Sequence, residues 1–241
     1  AEICQVPRPS KKEEKIIAYL KAFGEKHNLE TKVDEAGNVL IKKPATPGKE
    51  NLQTVILQSH VDMVCEKNND VEHDFLVDPI ETEIDGEWMK AKGTTLGADN
   101  GIGVATELAI LADDTIEHGP LECLFTVDEE TGLTGAFALK EGFMNGDILL
   151  NLDSEDEGEL FIGCAGGIDS VAQFTYKEAD VPAGYFFFKV EVKGLKGGHS
   201  GGDIHLGRGN ANKILNRFLS KMIAKYDLYL CEINGGNLRN A

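Results

Sequence analysis

Positive charge is what this sequence has least to spare: 24 lysines and arginines stand against 41 aspartates and glutamates, a formal balance of −17. A chain so acidic is repelled by a phosphate backbone or an anionic membrane face, which argues against nucleic acid and lipid surfaces as partners. Long apolar runs are missing too. None approaches the roughly 18 residues that a membrane helix needs, and the opening Ala1-Glu2-Ile3-Cys4 has no signal-peptide pattern, so a cytoplasmic protein is expected. Cysteines are few, odd in number and widely spaced (Cys4, Cys65, Cys123, Cys164, Cys231), mostly in apolar stretches. They read as buried thiols in a reducing compartment, with neither disulfides nor a metal assigned to them. An initiator methionine and a clear helix stop at the end are also missing, and truncation at both ends is expected.

What is present suffices for a core: 41% of the residues are hydrophobic, enough for one domain and part of a second. Ser10 with Glu13 reads as a capping box, followed at helical spacing by Ile16, Ile17, Leu20 and Phe23. Two short strand patterns, Thr31 to Asp34 and Asn38 to Lys42, are joined at Ala36-Gly37 as a hairpin. Three continuous apolar runs then predict buried strands: Thr54 to Gln58, Leu121 to Val127 and Asp147 to Leu152. Between the first two lie a polar excursion, Glu66 to Lys92, and a glycine-rich turn that opens a helix through Val104, Leu108 and Leu111. Strands alternating with helices predict an α/β domain, its sheet mainly parallel, with ligands at the carboxyl ends of the strands.

From about Tyr185 the pattern changes. Phe186 to Val192 reads as a strand, a glycine-rich stretch follows to Gly209, Asn210 caps a helix carrying Ile214, Leu215, Phe218, Leu219, Met222 and Ile223, and Leu228 to Ile233 reads as another strand. We therefore divide the chain into a first domain, residues 1–183, and the beginning of a second, α+β domain, residues 184–241.

Four strand ends or turns each deliver acids or a histidine: His60 with Asp62, Asp99, Glu129 with Glu130, and Asp153. One acid at a strand end is most often a helix cap. Four such ends aimed at one crevice need cations to offset their repulsion. Imidazole with carboxylates suits zinc, and manganese or cobalt could substitute. In an extended His60-x-Asp62 both side chains lie on one side, so Asp62 can fix the imidazole tautomer. The adjacent Glu129 and Glu130 can divide two roles, one binding metal and the other taking a proton from a metal-polarised water.

The segments Ser59-His60-Val61-Asp62-Met63-Val64, Gly93 to Gly101, Phe125 to Gly132, Leu150 to Glu155 and Gly197-Gly198-His199-Ser200-Gly201 resemble the successive signatures of the zinc aminoacylase and dipeptidase superfamily, peptidase family M20. Their wording is most similar to its aminoacyl-histidine (Xaa-His) dipeptidase branch, and the likeness runs from Ile3 to the Gly235-to-Asn240 stretch. The resemblance implies a di-zinc dipeptidase in which His60 binds one zinc, Asp99 bridges both, Glu130 binds the second and Asp153 completes the first. It implies that Glu129 is the general base, that His199 on a lid steadies the oxyanion, that the Asp99–Asn100 peptide bond is cis, and that the intact protein is a homodimer acting on small peptides. The family brings one more zinc ligand, a histidine, from a segment after the lid that these 241 residues do not include. An aminotripeptidase, an N-acyl amino acid deacylase and a non-catalytic metal-binding or dimerisation module are the other readings.

Overall fold

The computed structural model describes residues 1–154, 156–164, 166, 170–197 and 203–235. The chain forms two compact units, Ala1–Gly163 and Cys164–Ala241.

The first unit is built on a five-stranded sheet in the order β1-β2-β6-β3-β7. The hairpin of β1 (Glu30–Val33) and β2 (Val39–Lys43) joins it antiparallel through β2 and β6 (Leu121–Thr126). β3 (Val55–His60) lies parallel to both β6 and β7 (Ile148–Asn151), with Val55 opposite Leu121 and Ile148. A separate two-stranded sheet, β4 (Thr82–Asp85) with β5 (Trp88–Ala91), occupies the polar excursion.

The period-two alternation of the strands sorts their side chains between two apolar layers. Val39, Ile41, Leu57, Cys123 and Phe125 pack on one face with Ile16 and Leu20 of α1 (Glu14–Lys26) and Val104, Leu108 and Leu111 of α2 (Ala98–Ala112). Leu40, Ile56 and Leu124 point to the other face, where Leu139, Phe143 and Met144 cover them beyond the short α3 (Thr134–Ala138). With neither face of its centre open to water, the sheet holds its strand ends in fixed register.

Several sequence expectations need correction. Ser10 and Glu13 form no capping box: the N-cap of α1 is Glu13 and no side chain caps it. The apolar run of β7 is not buried, since Ile148, Leu149 and Leu150 are 38 to 47% exposed. β7 pairs only with β3 among the described residues, so it is an edge strand, and a continuous apolar pattern does not distinguish an edge from a centre.

In the second unit α4 (Ala211–Tyr226) starts as expected, with Asn210 Oδ1 accepting the backbone N–H of Lys213 at 2.9 Å. Neither Phe186 to Val192 nor Leu228 to Ile233 forms a strand. The rings of Phe186 and Phe188 do share a side, 5.8 Å apart, as extended backbone dictates. A strand also needs a ladder partner, and none faces either segment among the described residues. The expectation of buried thiols holds for Cys123, whereas Cys4 and Cys65 are half-buried and Cys164 and Cys231 exposed; all five are free. No helix of the described residues is long and apolar enough to cross a membrane.

Candidate metal centre

The carboxyl ends of β3, β6 and β7 lie side by side because the three strands run parallel, and each hands its next residues to the same crevice. β3 ends on His60, which is 1% exposed, and passes into Asp62, which is fully buried. β6 leads through Asp128, at φ 50°, into Glu129 and Glu130. β7 leads to Asp153. Asp99 arrives from a kink in the first turn of α2 where Asp99 and Asn100 leave helical geometry and the bond between them is cis, as the resemblance implies.

The imidazole of His60 is the centre of this convergence. Its Nε2 lies 3.0 Å from Asp99 Oδ1, 3.7 Å from Asp153 Oδ1 and 4.0 Å from Glu129 Oε2. Ligand atoms of His60, Asp99 and Glu130 fall within 4.8 Å of one another. On the other ring nitrogen, Nδ1 faces the main-chain oxygen of Asp62 at 3.1 Å and its Oδ1 at 3.3 Å. Both neighbours of Nδ1 are acceptors, so Nδ1 keeps a proton, and Nε2, here hydrogen-bonded to Asp99 Oδ1, is the nitrogen that a bound cation would take.

Asp62 also holds the acid pair. Its Oδ1 accepts the backbone N–H of Glu129 at 3.0 Å, and its Oδ2 accepts that of Glu130 at 3.3 Å and the Ser10 hydroxyl at 2.7 Å. Asn100 holds the remaining acid, its Nδ2 donating to Asp153 Oδ1 and to the Leu152 carbonyl at 3.2 Å. Glu13 and Asp128 fix the turn below: Glu13 Oε1 accepts the Asp128 N–H at 3.1 Å, and Asp128 accepts the hydroxyls of Thr131 and Thr134.

The electrostatics show how closely the negative groups crowd. Burial pulls the His60 imidazole down, yet the hydrogen bonds to Asp62 and Asp99 and the charge of Asp153 outweigh it and lift His60 to about 10. Burial together with neighbouring carboxylates raises Glu129 and Asp153, and takes Glu130 to about 7 despite His60. Asp62 moves the other way: the hydrogen bonds from His60, Glu129 and Ser10 outweigh its burial and keep it ionised. A divalent cation at Nε2 would relieve this repulsion. One imidazole among several carboxylates is a donor set that suits a divalent transition metal, and the ligand atoms of His60, Asp99 and Glu130 are near enough to share one.

Six of the seven sequence-predicted residues therefore share one site: His60, Asp62, Asp99, Glu129, Glu130 and Asp153. The seventh, His199, lies outside the described residues. Sequence reasoning missed Arg8, Ser10 as a partner of Asp62, Glu13 and Asp128 beneath the acid pair, and Asn100. Only Asn100 had a local signal, its place beside Asp99; the others act across long sequence separations.

The family model for Peptidase family M20/M25/M40 matches residues 56–216, which contain every residue of the site except the N-terminal supports. The cytosol non-specific dipeptidase of Escherichia coli (strain K12) is 54% identical over all 241 residues, which cover 50% of that protein. The crystal structure of aminoacylhistidine dipeptidase from Vibrio alginolyticus superposes with a TM-score of 0.67 at 50% identity, over 99% of this chain and 49% of that one. Aminopeptidase PepT from Bacillus cereus ATCC 10987 superposes with a TM-score of 0.55 at 28% identity, over 64% of this chain and 42% of that one. The chain thus spans about half the length of the curated relatives it matches.

Proposed function

Because the chain belongs to peptidase family M20/M25/M40, we propose that it forms the metal-binding part of a di-zinc dipeptidase that hydrolyses small dipeptides, those ending in histidine among them. The observation that carries this reading is the ring of Asp99, Asp153 and Glu129 oxygens facing Nε2 of a buried histidine, 3.0 to 4.0 Å away.

His60, Asp99 and Asp153 would hold the first ion, Asp99 and Glu130 the second. When bound, the ions supply Lewis acidity, polarising the scissile carbonyl and making water a better nucleophile. Glu129 is the proposed base. Its backbone is anchored on Asp62 and its carboxyl is raised above its ordinary value by burial and by its acidic neighbours, which suits a group that takes a proton from the attacking water and returns it to the departing amine. Asp62 keeps the His60 tautomer. His199 is proposed to steady the developing oxyanion from the lid. Residues 1–183 are proposed as the catalytic part and 184–241 as the start of the lid and dimer surface, with the intact protein a cytoplasmic homodimer.

The test is hydrolysis of L-carnosine by the full-length protein, metal-stripped and then reloaded with zinc, manganese or cobalt, with tripeptides and N-acyl amino acids as comparison substrates. Metal-dependent release of histidine is expected. Preference for a tripeptide or an acylated amino acid would move the protein to another branch, and metal-independent turnover would overturn the reading.

A further inference from the structure

Arg8 is 3% exposed, yet the partners of its guanidinium are main-chain oxygens. Nη1 donates to the carbonyls of Val61, at 2.9 Å, and Asp62, at 3.1 Å; Nη2 donates to that of Gly97. One planar fork therefore ties the segment leaving β3, which carries His60, to the turn that carries Asp99.

The turn is shaped to receive it. A Cβ at Gly97 would come within 2.5 Å of Nη2 and 2.7 Å of Met63 Sδ, and one at Gly101 within 2.8 Å of Nη2. Gly97 has φ 69° and favours glycine on backbone grounds as well, but Gly101 has no positive φ, so the room taken by Arg8 is what accounts for it. Asp99 and Asn100 lie between these two glycines. On either side of Arg8 the chain is held too: Pro9 bridges to Met63, and Ser10 bonds Asp62.

We propose that Arg8 is a positioning residue of the metal centre, a fixed spacer that sets the Asp99 turn against the His60 strand end. The inference rests on the reading of His60 and Asp99 as metal ligands. Charge gives it a distinctive sign. Asp62 and Asp99 both act on the guanidinium, so its positive charge stands close to where cations would bind and by Coulomb's law opposes them. If Arg8 acted by charge alone, its removal would tighten metal binding; if it acts by geometry, removal weakens it. Lysine cannot replace it, because a single ammonium lacks the fork that reaches both segments.

The test uses the full-length protein, with zinc affinity measured by competition against a chromophoric chelator and the visible spectrum recorded after cobalt substitution. Variants Arg8→Gln, Arg8→Lys, Gly101→Ala and the double Arg8→Gln/Gly101→Ala are compared under conditions where circular dichroism shows each folded. Arg8→Gln is expected to weaken the first zinc roughly 10 to 100-fold, the range for residues that orient ligands. Its cobalt spectrum should change, and Arg8→Lys should not restore either property. Gly101→Ala keeps the arginine and adds a better helix former, so a merely structural role predicts unchanged or improved behaviour. The positioning role predicts weakened binding, with the double variant no worse than the sum and close to the more affected single variant. Arg8→Gln binding zinc as tightly as wild type or tighter, with an unaltered spectrum, would overturn the proposal. Wild-type protein that takes up neither zinc nor cobalt would instead remove the metal reading, and the role of Arg8 with it.

Discussion

Asp62 Oδ1 accepts the backbone N–H of Glu129 at 3.0 Å while lying 3.3 Å from His60 Nδ1, so one buried carboxylate orients both the central histidine and the proposed base. Asp62→Asn keeps the shape but turns an amide N–H₂ toward groups that are themselves donors. Zinc affinity is expected to fall roughly 10 to 100-fold and turnover with it. Ser10→Ala removes a single donor to the same carboxylate and is expected to have the smaller effect. Parallel chelator competitions on the two variants check the order; wild-type affinity in Asp62→Asn would remove it from this role.

Glu129 and Glu130 are neighbours with different expected losses. Glu129→Gln should retain its metal and fold while kcat drops by about 10² to 10⁴-fold, the usual consequence of losing a general base. Glu130→Gln should bind less zinc. Metal analysis and steady-state rates on the same preparations separate the two, and a Glu129→Gln enzyme within tenfold of wild type would leave the base unassigned.

Counting ligands gives a third expectation. On the proposed assignment the first zinc would draw on His60, Asp99 and Asp153, a complement typical of an open catalytic site, whereas the second would have Glu130 and a share of Asp99. A protein consisting of these 241 residues alone should bind one zinc tightly and show no peptidase activity, while the full-length protein binds two. Calorimetry and a ninhydrin assay on both forms decide it; two tight sites on the shorter form would show the ligands misassigned.

Glu107 gives a pH dependence away from the metal centre. It is fully buried on α2, and neither carboxyl oxygen makes a hydrogen bond of good geometry, although Ser59 and Cys123 face it. Burial holds its carboxyl well above the usual range, whatever Ser59 and Cys123 give back. The folded state then keeps a proton that the unfolded chain releases above the ordinary carboxylate value of 4.5. Stability from this group is complete below that value and declines as pH rises toward the folded value. Glu107→Gln, neutral at every pH, should unfold at higher urea than wild type near neutrality, with the gap closing as the pH is lowered. A gap that is constant or reversed would show that the carboxyl is ionised in the core.

The strands and the site were legible in the sequence for a shared reason. The apolar runs Thr54 to Gln58, Leu121 to Val127 and Asp147 to Leu152 each give way to acids or a histidine, and that change marks the strand ends, where ligands gather, whether the strand is central or, like the last, at an edge. Rules of short range served less well. Ser10 and Glu13 have the spacing of a capping box, but the Ser10 hydroxyl reaches the ionised Asp62 and Glu13 takes the Asp128 N–H, and these partners come from distant segments that no local pattern reveals. Arg8 was illegible for the same reason, since a lone arginine among prolines carries no periodic signal. Phe186 to Val192 has the alternation of a strand, and alternation specifies a face without naming a partner.

The parallel pairing of β3 with β6 and β7 has a consequence for how the protein is made. The two-stranded sheet and α2 lie between β3 and β6 in the chain, so the pairing of Val55 with Leu121 joins residues remote in sequence. Such contacts repay the entropy of loop closure only after much of the chain has condensed, and they form late. His60, Asp153 and the acid pair stand at the ends of those strands and have no shared neighbourhood until then. A metal ion therefore meets a nearly finished scaffold, and synthesis in metal-poor medium should yield a folded apoprotein that can be charged afterwards, unlike small domains that remain unfolded until their zinc arrives.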